Sequence, residues 1–209
     1  MNALLMVDIQ KDFLPGGSLE VPQGDEIIPV ANEIQEYFDL VVATQDWHPM
    51  DHGSFASNHP GKQPGDKIEL DGVEQVLWPD HCIQQTGGAD FADDLKMDRV
   101  EKIIRKGTDP LVDSYSGFYD NQHKRATGLH EYLSRKGVDT VTIAGLAADV
   151  CVRYTALDAM ELGYKVFLVR NATRAVDGNE ALEETLRELR EKGAGVVDSS
   201  GMNDILKEF

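Results

Sequence analysis

The chain has 209 residues, 41% of them hydrophobic, and a formal net charge of −17. That is enough apolar material for one substantial core and too much for a disordered chain. The acidic balance excludes general binding to nucleic acid or to anionic membranes, which needs a basic patch, and leaves small polar substrates open.

Residues 3–9 form a near-continuous apolar run, as expected of a strand buried on both faces of a parallel sheet. Asp8 interrupts that run too early for a signal peptide, and no basic residue precedes it. No apolar stretch reaches membrane-spanning length, and two cysteines are too few for a disulfide framework, so a cytoplasmic protein is expected. From about Asp25, the residues Ile27, Val30, Ala31, Ile34 and Phe38 recur at helical spacing and predict a helix. Residues 40–44 predict the second strand. Across 45–91 the periodicity dissolves into Gly, Pro, His and Asp, and a connection of that length is more often functional than filler. Residues 99–105 alternate as a weaker strand leading to Lys106, and 107–121 reads as loop. Leu129, Tyr132 and Leu133 mark a helix closed by Gly137. A β-branched strand over 138–144, a helix over 153–163 and a strand over 164–169 follow. Leu182, Leu186 and Leu189 define another helix ending at Gly193, with Glu183–Arg187 and Glu188–Lys192 spaced as i,i+4 pairs on its polar side. A short strand at 196–197 and a terminal helix over 203–209 complete the order.

Strands alternating with helices give an α/β fold: a three-layer α/β/α sandwich around a mostly parallel, doubly wound sheet. No internal repeat or Ser/Gly linker divides the chain, so residues 1–209 read as a single domain with a metal-binding loop region around 45–91.

In such sheets ligands bind beyond the carboxyl ends of the strands. Asp8, Asp46, Lys106 and Cys151 all fall at that edge. The first strand is followed by Gly16-Gly17 in a Pro-led turn and no Gly-x-Gly-x-x-Gly, which removes the dinucleotide-binding reading. Cys151 would sit in the first turn of a helix, where the dipole and free N–H groups favour a thiolate and a developing oxyanion. Taken alone, it also reads as a small core residue, and Lys106 as an exposed loop lysine. No His lies near Cys151 in sequence, but Asp8 can accept the thiol proton if burial raises its pKa, with Lys106 holding the charge. An Asp/Lys/Cys set suffices for acyl transfer from a carboxamide through a thioester, with the N–H groups of Ala147 and Cys151 as oxyanion donors.

A second cluster combines Asp46, His48 and His52 with His81. A carboxylate with imidazoles suits Zn²⁺, and also Fe²⁺ or Mn²⁺. His59 lies in the same loop and competes as a ligand, whereas His123 and His130 read as surface residues.

Six motifs occur in order: Asp8-x-Gln10-x-Asp12-Phe13, Thr44-Gln-Asp-Trp-His-Pro49, Trp78-Pro-x-His81-Cys82, Lys106-Gly107, Tyr115-Ser-Gly-Phe118 and Gly145-Leu-Ala-Ala-Asp-Val-Cys-Val152. Over essentially the whole chain they resemble the bacterial nicotinamidases, also called pyrazinamidases, of the cysteine-hydrolase (isochorismatase-like) superfamily. The resemblance implies Asp8 as general base, Lys106 as its charged partner and Cys151 as nucleophile. It implies one divalent metal ion, Zn²⁺ first, on Asp46, His48 and His81, with waters completing the shell and the pyridine nitrogen of the substrate binding the metal. In some members a His at the position of His52 is a further ligand, while others differ. Phe13, Trp78 and Tyr115 match positions that wall the aromatic ring; ordinary core or loop packing is the alternative. A cis peptide between Leu146 and Ala147 is implied, turning the Ala147 N–H into the oxyanion hole, with Asp149 holding the turn. Ala148 stands where many members have Thr, and Val150 where some have His or Tyr.

The activity so implied is conversion of nicotinamide to nicotinate and ammonia in NAD salvage, with pyrazinamide as a further substrate. The implied partner is a small aromatic amide, with homo-oligomerisation left open. One competing reading is a cysteine amidase acting on a carbamoyl or ureido substrate, whose relatives lack the Asp-x-His…His set. An isochorismatase proper lacks the nucleophilic Cys. A non-catalytic metal-binding protein of the same fold is free to lose Asp8, Lys106 and Cys151.

Overall fold

The computed structural model describes residues 1–202; the terminal helix expected over 203–209 lies outside them. Strand β1 spans Asn2–Val7, and helix α1, Ile27–Ile34, leads to β2 at Leu40–Asp46. A hairpin of β3 (Lys67–Leu70) and β4 (Val73–Val76) precedes β5 (Val100–Lys106) and α2 (Leu129–Arg135). Then come β6 (Thr140–Leu146), α3 (Arg153–Glu161), β7 (Lys165–Arg174), α4 (Gly178–Glu191) and β8 (Gly195–Val197).

The main sheet has six strands in the order β5-β2-β1-β6-β7-β8, and every neighbouring pair is parallel. The chain builds outward from β1 through β2 to β5, then returns to lay β6 on the other side of β1. That reversal puts the topological switch point between β1 and β6, where the carboxyl ends open a crevice.

Alternate residues of β1 serve two cores. Ala3, Leu5 and Val7 pack with Leu129 and Leu133 of α2, Ala156 of α3 and Leu186 of α4. Leu4 and Met6 pack with Ile27, Ala31 and Ile34 of α1 and with Phe13. The period of two thus buries both faces, and the continuous apolar run follows from helices on either side. At the outer edge, β5 exposes Glu101, Lys102 and Arg105. An edge strand has less surface to bury, and its charges discourage strand addition, which accounts for its weaker apolar signal. Where β6 meets β1, Gly145 has φ +129°, and a Cβ there would overlap the Val7 backbone. Only glycine lets the two strands close at this point.

Three features differ from expectation. The segment read as patternless loop holds the β3–β4 hairpin, and β7 runs on through the polar residues Arg170 and Asn171 to Arg174. The acids of the expected α4 pairs also reach other elements: Glu188 takes both Arg153 Nε (2.6 Å) and Nη2 (2.8 Å) from α3, and Glu183 takes Arg170 (2.5 Å) from β7. No helix among the described residues is long and apolar enough to cross a membrane.

Candidate active site

Four strand ends deliver charged or nucleophilic groups to one point. Asp8 leaves β1 in the left-handed region (φ +47°), which Asp tolerates, and its Oδ1 accepts from Thr44 Oγ1 of β2 at 2.6 Å. Lys106 ends β5 with its side chain fully buried. Its Nζ donates to Asp46 Oδ1 (2.6 Å), the Ser114 carbonyl (2.9 Å) and Cys151 Sγ (3.4 Å), and lies 2.8 Å from Asp8 Oδ2. Burial alone would neutralise this lysine, but Asp46, Asp8 and Cys151 hold its pKa well above the ordinary value. Burial likewise opposes ionisation of Asp46, yet Lys106 and His48 keep its carboxyl well below the usual range.

Cys151 lies not in the first turn of α3 but on a π-helical turn, Ala148–Val152, that feeds into it. The cis peptide expected between Leu146 and Ala147 is present just before that turn. Asp149 anchors the turn from behind, accepting from the N–H groups of Val176 (2.9 Å) and Asp177 (3.1 Å). Burial pushes the Cys151 thiol well above its ordinary pKa, Asp8 and Asp46 push the same way, and Lys106 offsets them only in part. A thiol so placed needs a base to ionise. Asp8 suits that task, because burial raises its carboxyl despite the opposing charge of Lys106.

Next to this cluster stand three donors suited to a metal. His48 Nδ1 faces the Gly107 carbonyl at 2.9 Å, and His81 Nδ1 faces the Pro79 carbonyl at 2.8 Å. A carbonyl only accepts, so each Nδ1 carries a proton, and in the neutral ring each Nε2 keeps its lone pair. Those Nε2 atoms lie 3.5 Å and 3.7 Å from Asp46 Oδ2. Two imidazole lone pairs and one carboxylate oxygen converge, with backbone carbonyls fixing the rings, as in a carboxylate–histidine metal centre. The set is a candidate divalent-metal site. Gly107 (φ +64°) packs against the His48 ring so closely that a Cβ would overlap it.

His52 is oriented differently. Its Nδ1 lies 3.2 Å from the Ser54 backbone nitrogen and 2.7 Å from Ser54 Oγ, which fixes the ring with Nε2 facing inward. That Nε2 is buried without a partner among the described residues, and burial lowers the ring pKa to about 4. As a possible metal donor His52 groups with His48 and Asp113 rather than with Asp46 and His81. His59 is turned away, its Nε2 on the Gly53 carbonyl at 2.8 Å. Of the two histidines read as surface residues, His123 is exposed, while His130 is half-buried with Nδ1 2.9 Å from the Tyr164 hydroxyl.

Between the two clusters lies a concave pocket with aromatic and aliphatic walls and a few convergent polar groups, the usual make-up of a small-ligand site. Phe13, Trp78 and Tyr115 line it with Leu19, Val150 and Val176; Ala147 and Cys151 reach it beside Asp46, His48 and His81. Its far end holds residues that sequence reasoning missed. Asp113 is a buried carboxylate lining the pocket. Gln75 of β4 donates to Asp113 Oδ2 (3.3 Å) and to the Tyr115 hydroxyl (2.8 Å), which also accepts from Trp78 Nε1 (3.1 Å). Thr44 belonged to a quoted motif without a role of its own; Asp113 and Gln75 carry no local signal.

The isochorismatase-domain family model matches residues 2–200. A nicotinamidase from Acinetobacter baylyi is 45% identical over 197 residues, covering 94% of this chain and 92% of that protein. The structure of a nicotinamidase/pyrazinamidase from Acinetobacter baumanii is similar with a TM-score of 0.92 at 46% identity, covering 96% of this chain and 97% of that one. The pyrazinamidase of Pyrococcus horikoshii, solved in complex with zinc, gives a TM-score of 0.77 at 41% identity, over 94% and 98% of the two chains. Family match, sequence identity and fold agree over nearly the full length: the chain belongs to the isochorismatase family and, within it, groups with the nicotinamidases.

Proposed function

We propose that this protein hydrolyses nicotinamide to nicotinate and ammonia, the amide-cleaving step of NAD salvage, and accepts pyrazinamide as well. The observation that carries the reading is the position of Lys106 Nζ, in contact at once with Asp8, Asp46 and Cys151, the last two of which line an aromatic pocket. Asp8 takes the Cys151 thiol proton, and Lys106 stabilises both the carboxylate and the thiolate that replaces the thiol. The sulfur attacks the amide carbon, and the resulting oxyanion is met by the N–H groups of Ala147 and Cys151. Collapse of this intermediate breaks the C–N bond while Asp8 returns its proton to the nitrogen, and ammonia leaves a thioester. Asp8 then removes a proton from water as it attacks the same carbon. The C–S bond breaks, the proton held by Asp8 returns to Cys151, and the acid so formed leaves as nicotinate, giving its own proton to solvent.

Asp46, His48 and His81 are the residues that would hold the metal, with Zn²⁺ as the proposed ion. The mixed nitrogen–oxygen donor set supports this, as does the zinc complex of the Pyrococcus horikoshii relative; Fe²⁺ and Mn²⁺ suit the same donors. When bound, the ion supplies a Lewis-acidic position for the ring nitrogen of the substrate. Phe13, Trp78 and Tyr115 stack around the ring and exclude water. His52 stands outside the Asp46, His48 and His81 group and is the weaker candidate ligand, meeting His48 and Asp113 instead. A cytoplasmic setting fits the two free, buried cysteines.

The test is ammonia release across nicotinamide, pyrazinamide, benzamide and a carbamoyl amino acid, with and without chelator. Nicotinamide and pyrazinamide should be cleaved and the carbamoyl compound not. Turnover of the carbamoyl compound alone would favour the related amidase reading, and no turnover of any amide would favour a non-catalytic protein.

A further inference from the structure

Gln10 and Asp12 of the first motif have no part in the reaction above, yet each reaches into the segments that carry the metal donors. Asp46 is the last residue of β2, paired on one side with Lys106 of β5. On the other side the β1–β2 ladder stops at Met6↔Ala43, leaving the strand end without a neighbour. The Gln10 side chain fills that place: Oε1 accepts from the Asp46 N–H at 2.8 Å, and Nε2 donates to the Asp46 carbonyl at 2.9 Å. A primary amide offers the same donor and acceptor pair as a peptide group, so it extends the ladder by one rung. Its second hydrogen goes to the Ala89 carbonyl at 2.9 Å, and Gln10 is fully buried.

Asp12 does the equivalent for the histidines. Its Oδ2 accepts from the Cys82 N–H at 2.7 Å, next to His81, where Cys82 is held in the left-handed region (φ +46°). The Cys82 carbonyl in turn accepts from the His48 N–H at 3.0 Å. One carboxylate therefore steadies the strip joining both imidazole residues. Gly88 packs against that carboxylate with no room for a Cβ.

We propose that Gln10 and Asp12 are positioning residues of the metal centre, fixing the backbones of Asp46, His81 and, through Cys82, His48 before any ion arrives. The inference rests on the reading of Asp46, His48 and His81 as metal ligands. Outer partners of this kind typically contribute about 10–100-fold to metal affinity.

The test measures Zn²⁺ affinity by competition with a chromophoric chelator, together with the unfolding midpoint of each protein with and without Zn²⁺. Gln10→Met keeps side-chain length and removes the hydrogen bonds; Asp12→Ala removes the acceptor, and Asp12→Asn restores an oxygen that can accept from Cys82. The expected result is about 10–100-fold weaker Zn²⁺ binding in Gln10→Met and Asp12→Ala, with most of the affinity recovered in Asp12→Asn. The stabilisation by Zn²⁺ should shrink in parallel. A merely structural role would lower both midpoints equally and leave their difference unchanged. Wild-type Zn²⁺ affinity in folded variants would overturn the proposal, and if Gln10→Met fails to fold, the Asp12 pair decides. Failure of the wild-type protein to bind any of Zn²⁺, Fe²⁺ or Mn²⁺ would be a different result, overturning the metal reading itself.

Discussion

The two halves of the site meet at one carboxylate and differ in how their polar atoms are satisfied. On the sheet side, Asp46 Oδ1 joins Lys106, whose ammonium also touches Asp8, the Ser114 carbonyl and Cys151. On the loop side, Asp46 Oδ2 faces the Nε2 atoms of His48 and His81 at 3.5 Å and 3.7 Å. The sheet side is a closed ion cluster, compensated from within. The loop side is a set of lone-pair donors turned toward one another, an arrangement that a cation stabilises. Damage to the first should therefore reach folding as well as chemistry, while damage to the second should be felt through the metal.

The largest expected effect falls on the sheet side. Cys151→Ala should lower nicotinamide turnover by about 10⁴-fold or more while leaving a cooperative unfolding transition, because only the bond-forming atom is removed. Ammonia release within tenfold of wild type would break the assignment. Lys106→Met comes next. It leaves Asp8 and Asp46 as uncompensated buried charges and should cost about 3–5 kcal/mol in urea unfolding. The sign of its pH dependence follows from Asp8. Burial raises that carboxyl and Lys106 opposes the rise, so removing Lys106 raises it further. A group with a raised folded pKa destabilises the folded state above its unfolded pKa, so the deficit should be largest near neutral pH and shrink on acidification. A deficit that grows in acid would contradict the cluster.

The loop side predicts a different pattern. Exhaustive chelation should cut activity about tenfold or more, with recovery on adding Zn²⁺ and no loss of helical circular dichroism. An unchanged rate would remove the ion from catalysis. Gln75→Leu takes one donor from the Tyr115 hydroxyl and one from Asp113; losing about 1 kcal/mol of ring positioning should raise KM about fivefold with kcat little changed. The smallest effect is on thiol labelling. Burial raises both Cys82 and Cys151, so iodoacetamide should react slowly with each near neutral pH and faster as pH rises. Rapid labelling of Cys151 below neutral pH would restore the thiolate expected at a helix start.

The legible parts of the molecule were those that a parallel sheet makes local. Asp8, Asp46, Lys106 and Cys151 each end or follow a strand, and parallel strands end at one edge, so sequence position alone brought them together. The helical faces of α1 and α4 were legible for a similar reason: Ile27, Ala31 and Ile34, or Leu182, Leu186 and Leu189, repeat on one side. The β3–β4 hairpin was not, because its strands have four residues each and mix Lys67, Glu69 and Glu74 with half-buried apolar ones. Gln75 and Asp113, which depend on that hairpin for their meeting, were missed with it. How far burial raises the Cys151 thiol was not legible, because burial is a tertiary quantity and a helix start is a local one. His52 shows the same limit: spacing places an imidazole in the loop, but only its contacts with Ser54 decide which way the ring is turned. In α4, sequence spacing paired Glu188 with Lys192, and the fold added the better-matched fork of Arg153.

The central claim is that Cys151 carries the acyl group. Rapid acid quenching during nicotinamide turnover, followed by peptide mass mapping, tests it most directly. The prediction is a nicotinoyl adduct on the peptide containing Cys151, with none on the Cys82 peptide and none in Cys151→Ala. Sustained ammonia release with no adduct, together with an active Cys151→Ala protein, would contradict the account.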